Sequence, residues 1–201
     1  MKAILMSIRP KWIVKIFNGE KHKELRSRFP KNYRGWIYIY CTKQQDIVRL
    51  LGISKDRFVC EKDFDIKDFP RMSSGYTAKG KVVGRFYCDN VAEYINGGRW
   101  NDDETFGNYD DYINDKVCEE SCVSEEELNA HYEDLAFSAI NITELEIYDK
   151  TIELSKIHRC QLGRNNCYMT RCDEKDCPCF IPVTRAPQSW MFVEVSGDEN
   201  R

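Results

Sequence analysis

The stretch from Ser7 to Arg28 constrains the fold more than any other part of the chain. It opens as the end of an apolar run, Ala3 to Ile8, which reads as a strand, and Pro10 stands where a first helical residue tolerates a missing N–H. Trp12, Ile13, Ile16 and Phe17 recur at three- and four-residue spacing, which predicts a short helix with one face inward and Lys11 and Lys15 in water. Gly19, just past the last apolar position, has the place of a left-handed C-terminal cap. After it the pattern turns to Lys21, Lys23, Glu24, Arg26 and Arg28. A strand built from these residues carries charge on both faces, so one face must meet water or a ligand. The plain alternative is an edge strand blunted by charge against aggregation.

The order of strand, Pro-started helix, glycine and Lys-x-x-Glu-x-Arg resembles a known family. Gly19-x-Lys21-x-x-Glu24-x-Arg26 after Ser7-Ile8-Arg9-Pro10 is similar to the signature of ASCH domains, small β-barrel proteins of the PUA-like superfamily associated with RNA. Gly35 to Cys41, Lys79 to Cys88, and Arg185 to Trp190 leading into a last strand also resemble it. The segments 52–78, 89–123 and 160–182 have no counterpart in that pattern. The resemblance implies an α+β domain, a PUA-like mixed β-barrel with short flanking helices. It also implies that Lys21, Glu24 and Arg26 lie in a cleft between helix and barrel.

A lysine beside a carboxylate and an arginine can act in two ways. As an ammonium it binds phosphate or a carbonyl oxygen; desolvated near Arg26, it becomes a base or nucleophile, with Glu24 orienting it or moving protons. Ser7, Arg9, Trp12 and Lys43 are candidates for the cleft wall, and Trp190 for stacking on a base. Core packing is the competing reading for both tryptophans. Some ASCH-like proteins resemble amidohydrolases that deacylate N4-acetylcytidine, with a threonine three residues after the lysine; this chain has Glu24 there. Others are ribonucleases or accessory RNA-binding domains. Binding of RNA or a modified nucleotide is therefore the first expectation. A hydrolase of ribonuclease or amidohydrolase type using Lys21 and Glu24 as its catalytic pair is the alternative. A protein-interaction module using the acidic, aromatic segment 89–149 is a third.

Charge supports a local rather than a global anion site. The formal net charge is −3, yet residues 1–85 hold 20 Lys and Arg against 8 Asp and Glu, while residues 86–155 hold 3 against 19. At 201 residues the expectation is a single domain over 1–201, with insertions at about 52–78 and 89–123 and a cysteine-rich hairpin at about 158–182. No apolar run approaches the ~20 residues of a membrane span, and Met1 to Met6 does not read as a secretory signal. A cytoplasmic location, with ten cysteines kept reduced, is the expectation; no protein partner is named by the sequence.

Along the remainder, Trp36 to Cys41 reads as a strand buried on both faces, and Thr42 with Gln45 as the start of a short helix through Leu51. Residues 53–78 read as irregular and Lys79 to Cys88 as a strand. Asp89 to Asp115 reads as a surface loop. Ser124 to Glu127 is a capping box for a helix through Tyr132, Ala136 to Ile147 a strand bulged near Thr143, and Trp190 to Val195 the closing strand.

Five cysteines crowd into one segment: Cys160, Cys167, Cys172, Cys177 and Cys179, with His158 close by. Four thiolates at loop spacing can hold zinc tetrahedrally, but this is not the paired Cys-x-x-Cys of most zinc ribbons. A structural zinc, free thiols and disulfide or redox chemistry all stay open; no other cofactor is expected.

Overall fold

The computed structural model describes residues 2–51, 56–63, 76, 78–95, 111–132, 136–160 and 180–194. In chain order the elements are β1 (Lys2–Ile8), α1 (Pro10–Phe17), β2 (Lys23–Arg26), β3 (Gly35–Cys41), β4 (Ile47–Leu51), β5 (Asp56–Cys60), β6 (Lys81–Cys88) and β7 (Val91–Ile95). There follow α2 (Asp111–Ser121), α3 (Glu125–Tyr132), β8 (Ala136–Asn141), β9 (Thr143–Glu153), β10 (His158–Cys160), β11 (Phe180–Pro182) and β12 (Trp190–Glu194). Among the described residues there are also two 3-10 turns, Glu61–Asp63 and Leu154–Lys156. This is an α+β fold, mostly strand.

Two compact units divide the chain. The first comprises Met1–Val14, Trp36–Phe86 and Glu146–Arg201. Its seven-stranded sheet runs β11-β10-β12-β1-β3-β6-β9, with β1 parallel to β3 and antiparallel to β12. Every residue from Ala3 to Ile8 is buried, as a continuous apolar run in a central strand requires. One face of the sheet packs Leu5, Tyr38, Val82, Tyr148 and Val193 into a common core. Gly84 admits a close backbone approach: a Cβ there would lie 2.5 Å from the Glu146 carbonyl oxygen.

The second unit comprises Lys15–Gly35 and Tyr87–Leu145. Here β2 and β7 flank β8 in a three-stranded antiparallel sheet. Leu25, Phe137 and Ala139 on one face pack with Val117 of α2 and Leu128 of α3. Glu24 and Arg26 alternate onto the other face.

Several expectations need correction. The described strands form open sheets, not a closed barrel. The chain leaves one sheet for another at Ile142, where Glu144 takes a left-handed φ of 44°, so β8 and β9 are two strands with different neighbours and not one bulged strand. The helix expected from Thr42 to Leu51 is the strand β4, paired with β5 from Ile47 opposite Cys60. Ile47 and Val48 are β-branched and the apolar stripe is too short to sustain a helix alone. The Asp46 carboxylate accepts the N–H groups of Ile47, Ala78 and Lys79 at 2.9, 2.7 and 3.2 Å, which ties the strand start to a distant turn. Segments read as irregular or as loop contain β5, β7 and the beginning of α2. Among the described residues, no helix is long and apolar enough to cross a membrane.

Candidate functional site

Local sequence delivers Lys21 to its place. At the end of α1, the Gly19 N–H donates to the Ile16 carbonyl at 3.0 Å and the Glu20 N–H to the Lys15 carbonyl at 2.8 Å, with Gly19 at φ 69°. This double bond pattern is a Schellman turn, and it needs a left-handed residue that glycine supplies without strain. The Lys21 N–H also bonds the Lys15 carbonyl, at 3.1 Å, and the chain then enters β2.

Lys21 and Glu24 are both 3% exposed. The Lys21 Nζ donates to the Ser121 carbonyl at 2.6 Å and lies 3.4 Å from Glu24 Oε2; the Arg26 guanidinium meets Glu24 Oε1 at 2.7 Å. One carboxylate is thus shared by two cations. Ser121 is the last residue of α2, so the ammonium also sits at the negative end of that helix, where a cation is favoured. The Arg26 side chain is 19% exposed and is the member of the set that reaches solvent.

Burial pushes the Lys21 ammonium below its ordinary value of 10.5. Glu24 and then Cys122 work against that, while Arg26 adds to it. Burial raises the Tyr132 hydroxyl; Arg26 lowers it and Glu24 raises it, so this tyrosine feels the same cluster. A desolvated amine beside a compensated carboxylate can hold a ligand oxygen, or give up a proton at lower pH than a surface lysine does.

The remaining candidates belong to the first unit, and they converge. Ser7 lies near the carboxyl end of β1, its N–H donating to the Ser189 carbonyl at 2.9 Å and its hydroxyl to the Pro187 carbonyl at 2.7 Å. Arg9 precedes α1, and its carbonyl accepts the Trp12 N–H at 2.9 Å. Trp190 pairs with Met6 in the β1–β12 ladder. The Thr42 N–H reaches the Ile8 carbonyl at 3.1 Å, which sets Lys43 just past the end of the parallel β1–β3 pair, its stem along Gly80. Arg9 and Lys43 are exposed; Trp12 and Trp190 are half-buried, with the Lys11 ammonium 4.1 Å over the Trp12 ring.

Sequence reading missed Ser121, Glu120 and Tyr132. The signal was present in the charge asymmetry, because part of the basic surplus is neutralised by the acidic segment: Lys23 pairs with Glu120 and Lys31 with Glu93, each at 2.6 Å. Arg49, Lys81 and Arg85 likewise pair with Asp149, Glu153 and Glu146.

Of the cysteine cluster, Cys167, Cys172, Cys177 and Cys179 and the side chain of Cys160 lie outside the described residues. His158 stacks on Phe180, ring centres 4.7 Å apart. Cys41, Cys60, Cys88, Cys118 and Cys122 are free thiols.

No protein-family model and no curated protein matches the sequence. Solved structures are similar. A variant of the ASCH protein from Zymomonas mobilis superposes with a TM-score of 0.51 at 15% identity, over 96% of this chain and 91% of the other. Another structure of that ASCH protein gives 0.50 at 15% identity, over 96% and 87%. The chain therefore has the fold of the ASCH domain structures, the fold that Gly19-x-Lys21-x-x-Glu24-x-Arg26 implied.

Proposed function

We propose that the chain binds RNA or a modified nucleotide in the cytoplasm, with the Lys21, Glu24 and Arg26 cluster as the candidate site of the second unit and Ser7, Arg9, Trp12, Lys43 and Trp190 as the candidate surface of the first. The observation that carries this reading is that those five residues, from three stretches of the chain, lie by the carboxyl ends of β1 and β3. Two exposed cations and two half-buried indoles at one end of the sheet supply the residue types for phosphate contacts and for stacking, the combination that single-stranded nucleic acid selects. A buried ion cluster is also expensive to maintain, and such clusters concentrate at functional sites.

The test is a binding titration at two salt concentrations with RNA and with free nucleosides. Arg9→Ala with Lys43→Ala should weaken RNA binding and flatten its salt dependence, by about 0.7 in logarithmic slope per lost phosphate contact on a single strand. Lys21→Ala should weaken both RNA and nucleoside binding. Unchanged affinity in both variants would sink the proposal.

A hydrolase using Lys21 and Glu24 is the second reading, favoured by the lowered Lys21 pKa and the 3.4 Å contact with Glu24. Mass spectrometry of a pool of RNA and modified nucleosides separates the two: a product formed by the parent and absent with Lys21→Ala establishes an enzyme and identifies the bond cleaved. For the segment holding Cys160 to Cys179, elemental analysis of protein purified without chelator should give about one zinc per chain if the site is structural, and less than about 0.2 if it is not.

A further inference from the structure

The chain after α1 is laced to the end of α2 by three bonds in antiparallel order. The Cys122 thiol donates to the Glu20 carbonyl at 3.2 Å, the Lys21 Nζ to the Ser121 carbonyl at 2.6 Å, and the His22 N–H to the Glu120 carbonyl at 2.7 Å. Lys21 and Cys122 are therefore neighbours across the lacing, and the charge of a Cys122 thiolate supports the Lys21 ammonium. Cys122 holds the left-handed place of a Schellman turn at φ 55°, its N–H on the Glu119 carbonyl at 3.2 Å and the Val123 N–H on the Cys118 carbonyl at 3.1 Å. Gly19 fills the same place after α1 without strain, so the thiol stands here against the backbone's preference. Cys122 is half-buried, within reach of a small solute, whereas Lys21 and Glu24 are each 3% exposed. Glu24 Oε2, 3.4 Å from the ammonium, is buried without a hydrogen-bond partner of its own.

We propose that Lys21 and Cys122 form a reversible oxidative cross-link, a sulfenamide between Nζ and Sγ, that switches the Lys21, Glu24 and Arg26 cluster off. As regulation of a ligand site it rests on the reading of Lys21 as a binding residue; the bond itself does not. The oxidant is hydrogen peroxide. The Cys122 thiolate attacks a peroxide oxygen, the S–O bond forms as the O–O bond breaks, and the sulfur becomes a sulfenic acid. Lys21 passes one ammonium proton to Glu24 Oε2, and its amine attacks that sulfur. The N–S bond forms as the S–O bond breaks; the departing hydroxide takes the proton from Glu24 and leaves as water, while the nitrogen's surplus proton goes to solvent. In sum the thiol and the amine lose two hydrogens, and the peroxide becomes two waters. Two molecules of an added thiol reverse the link, restoring both side chains and leaving their own disulfide. Cys41, Cys60 and Cys88 are buried, and burial with Glu125 and Asp115 pushes the Cys118 thiol up, so among the described thiols Cys122 is the one presented to the oxidant. The linked nitrogen is neutral, and Glu24 thereby loses one of its two cations.

The experiment treats the full chain with hydrogen peroxide and maps its peptides by mass without reduction. The expected result is a linked pair carrying Lys21 and Cys122, lighter than the sum of its two peptides by about 2 Da, that a thiol separates again. Cys122→Ser should form no such pair and keeps a donor for the Glu20 carbonyl. Lys21→Met should stop at the sulfenic acid, which a cyclic diketone traps at Cys122; the mapping of the parent needs no variant to fold. Titrations with single-stranded RNA and with free nucleotide, on reduced and on oxidised protein, read the consequence. Oxidation should weaken binding by the parent at least about 10-fold, with recovery in thiol, and Cys122→Ser should bind alike before and after. Cys122 recovered unmodified, oxidised without a bond to Lys21, or joined to Cys118 or another cysteine refutes the cross-link. A linked protein that binds as tightly as the reduced one refutes the switch. Binding by the reduced protein with no linked pair after oxidation refutes the inference and spares the ligand reading, whereas a linked pair in a protein that binds neither RNA nor nucleotide upholds the bond and overturns that reading.

Discussion

Glu24 is shared by two cations, and this predicts which substitution in the cluster costs most. Glu24→Gln keeps the shape and removes the charge that offsets both Lys21 and Arg26. Arg26 retains some access to water, but the Lys21 side chain is only 2% exposed and becomes an uncompensated buried ammonium. Breaking a buried pair in this way costs about 3–5 kcal/mol. Lys21→Met is milder, because Glu24 keeps Arg26 at 2.7 Å. What it loses is the donor to the Ser121 carbonyl, about 1–3 kcal/mol, partly offset by removal of a desolvated charge. The net expectation is about 1–2 kcal/mol. Lys21→Met with Glu24→Gln removes both buried charges together and should cost at least about 2 kcal/mol less than the sum of the single changes. Urea unfolding at pH 7 gives these values from midpoints at constant slope, and hydrogen exchange at β2 and β8 reports the second unit by itself. The reasoning is refuted if Glu24→Gln proves cheaper than Lys21→Met, or if the two effects add to within about 0.5 kcal/mol.

Three further predictions concern pH, backbone and thiols. Because burial holds Lys21 below 10.5, the native state binds fewer protons than the unfolded chain in the window just under that value; stability therefore rises with pH there, and Lys21→Met should flatten the rise in urea midpoints. Gly19→Ala meets no atom within 4 Å and should cost only the left-handed strain, about 1–2 kcal/mol, whereas Gly84→Ala drives a Cβ against the Glu146 carbonyl and should cost more; equal midpoints for the two would contradict this. Burial pushes the thiols of Cys41 up to about 12 and of Cys60 and Cys88 up to about 11 from 9.0, so stability they contribute below pH 9 is lost as pH rises through the folded values. At pH 8 these three should resist alkylation in the native state and react only on unfolding, as peptide mapping after timed labelling would show.

Elements whose cause is local were readable in advance. Pro10, the apolar spacing of Trp12 to Phe17 and Gly19 specify α1 and its turn within one short segment, and the structure has both. The continuous apolar runs that became β1 and β3 announce central strands, and Ser124 accepts the Glu127 N–H at 3.1 Å as the cap of α3 should. The candidate site was legible to the same extent: Glu24 reaches Lys21 at i,i+3 and Arg26 two residues on, all within one turn and one strand.

What failed to show depends on partners far along the chain. Ile47 to Leu51 became a strand because Cys60 to Asp56 lies alongside, and open sheets replaced a barrel because the chain changes neighbours at Ile142. Ser7, Arg9, Trp12, Lys43 and Trp190 were named separately by their chemistry; only strand pairing brings them to one end of the sheet's strands. The sequence by itself determined which residues carry charge and rings and where helix and turn must fall, since those preferences act over about four residues. Tertiary structure alone decided that Lys21 would be desolvated and held by the Ser121 carbonyl 100 residues away, because burial and helix-end dipoles belong to packed elements and to no local pattern.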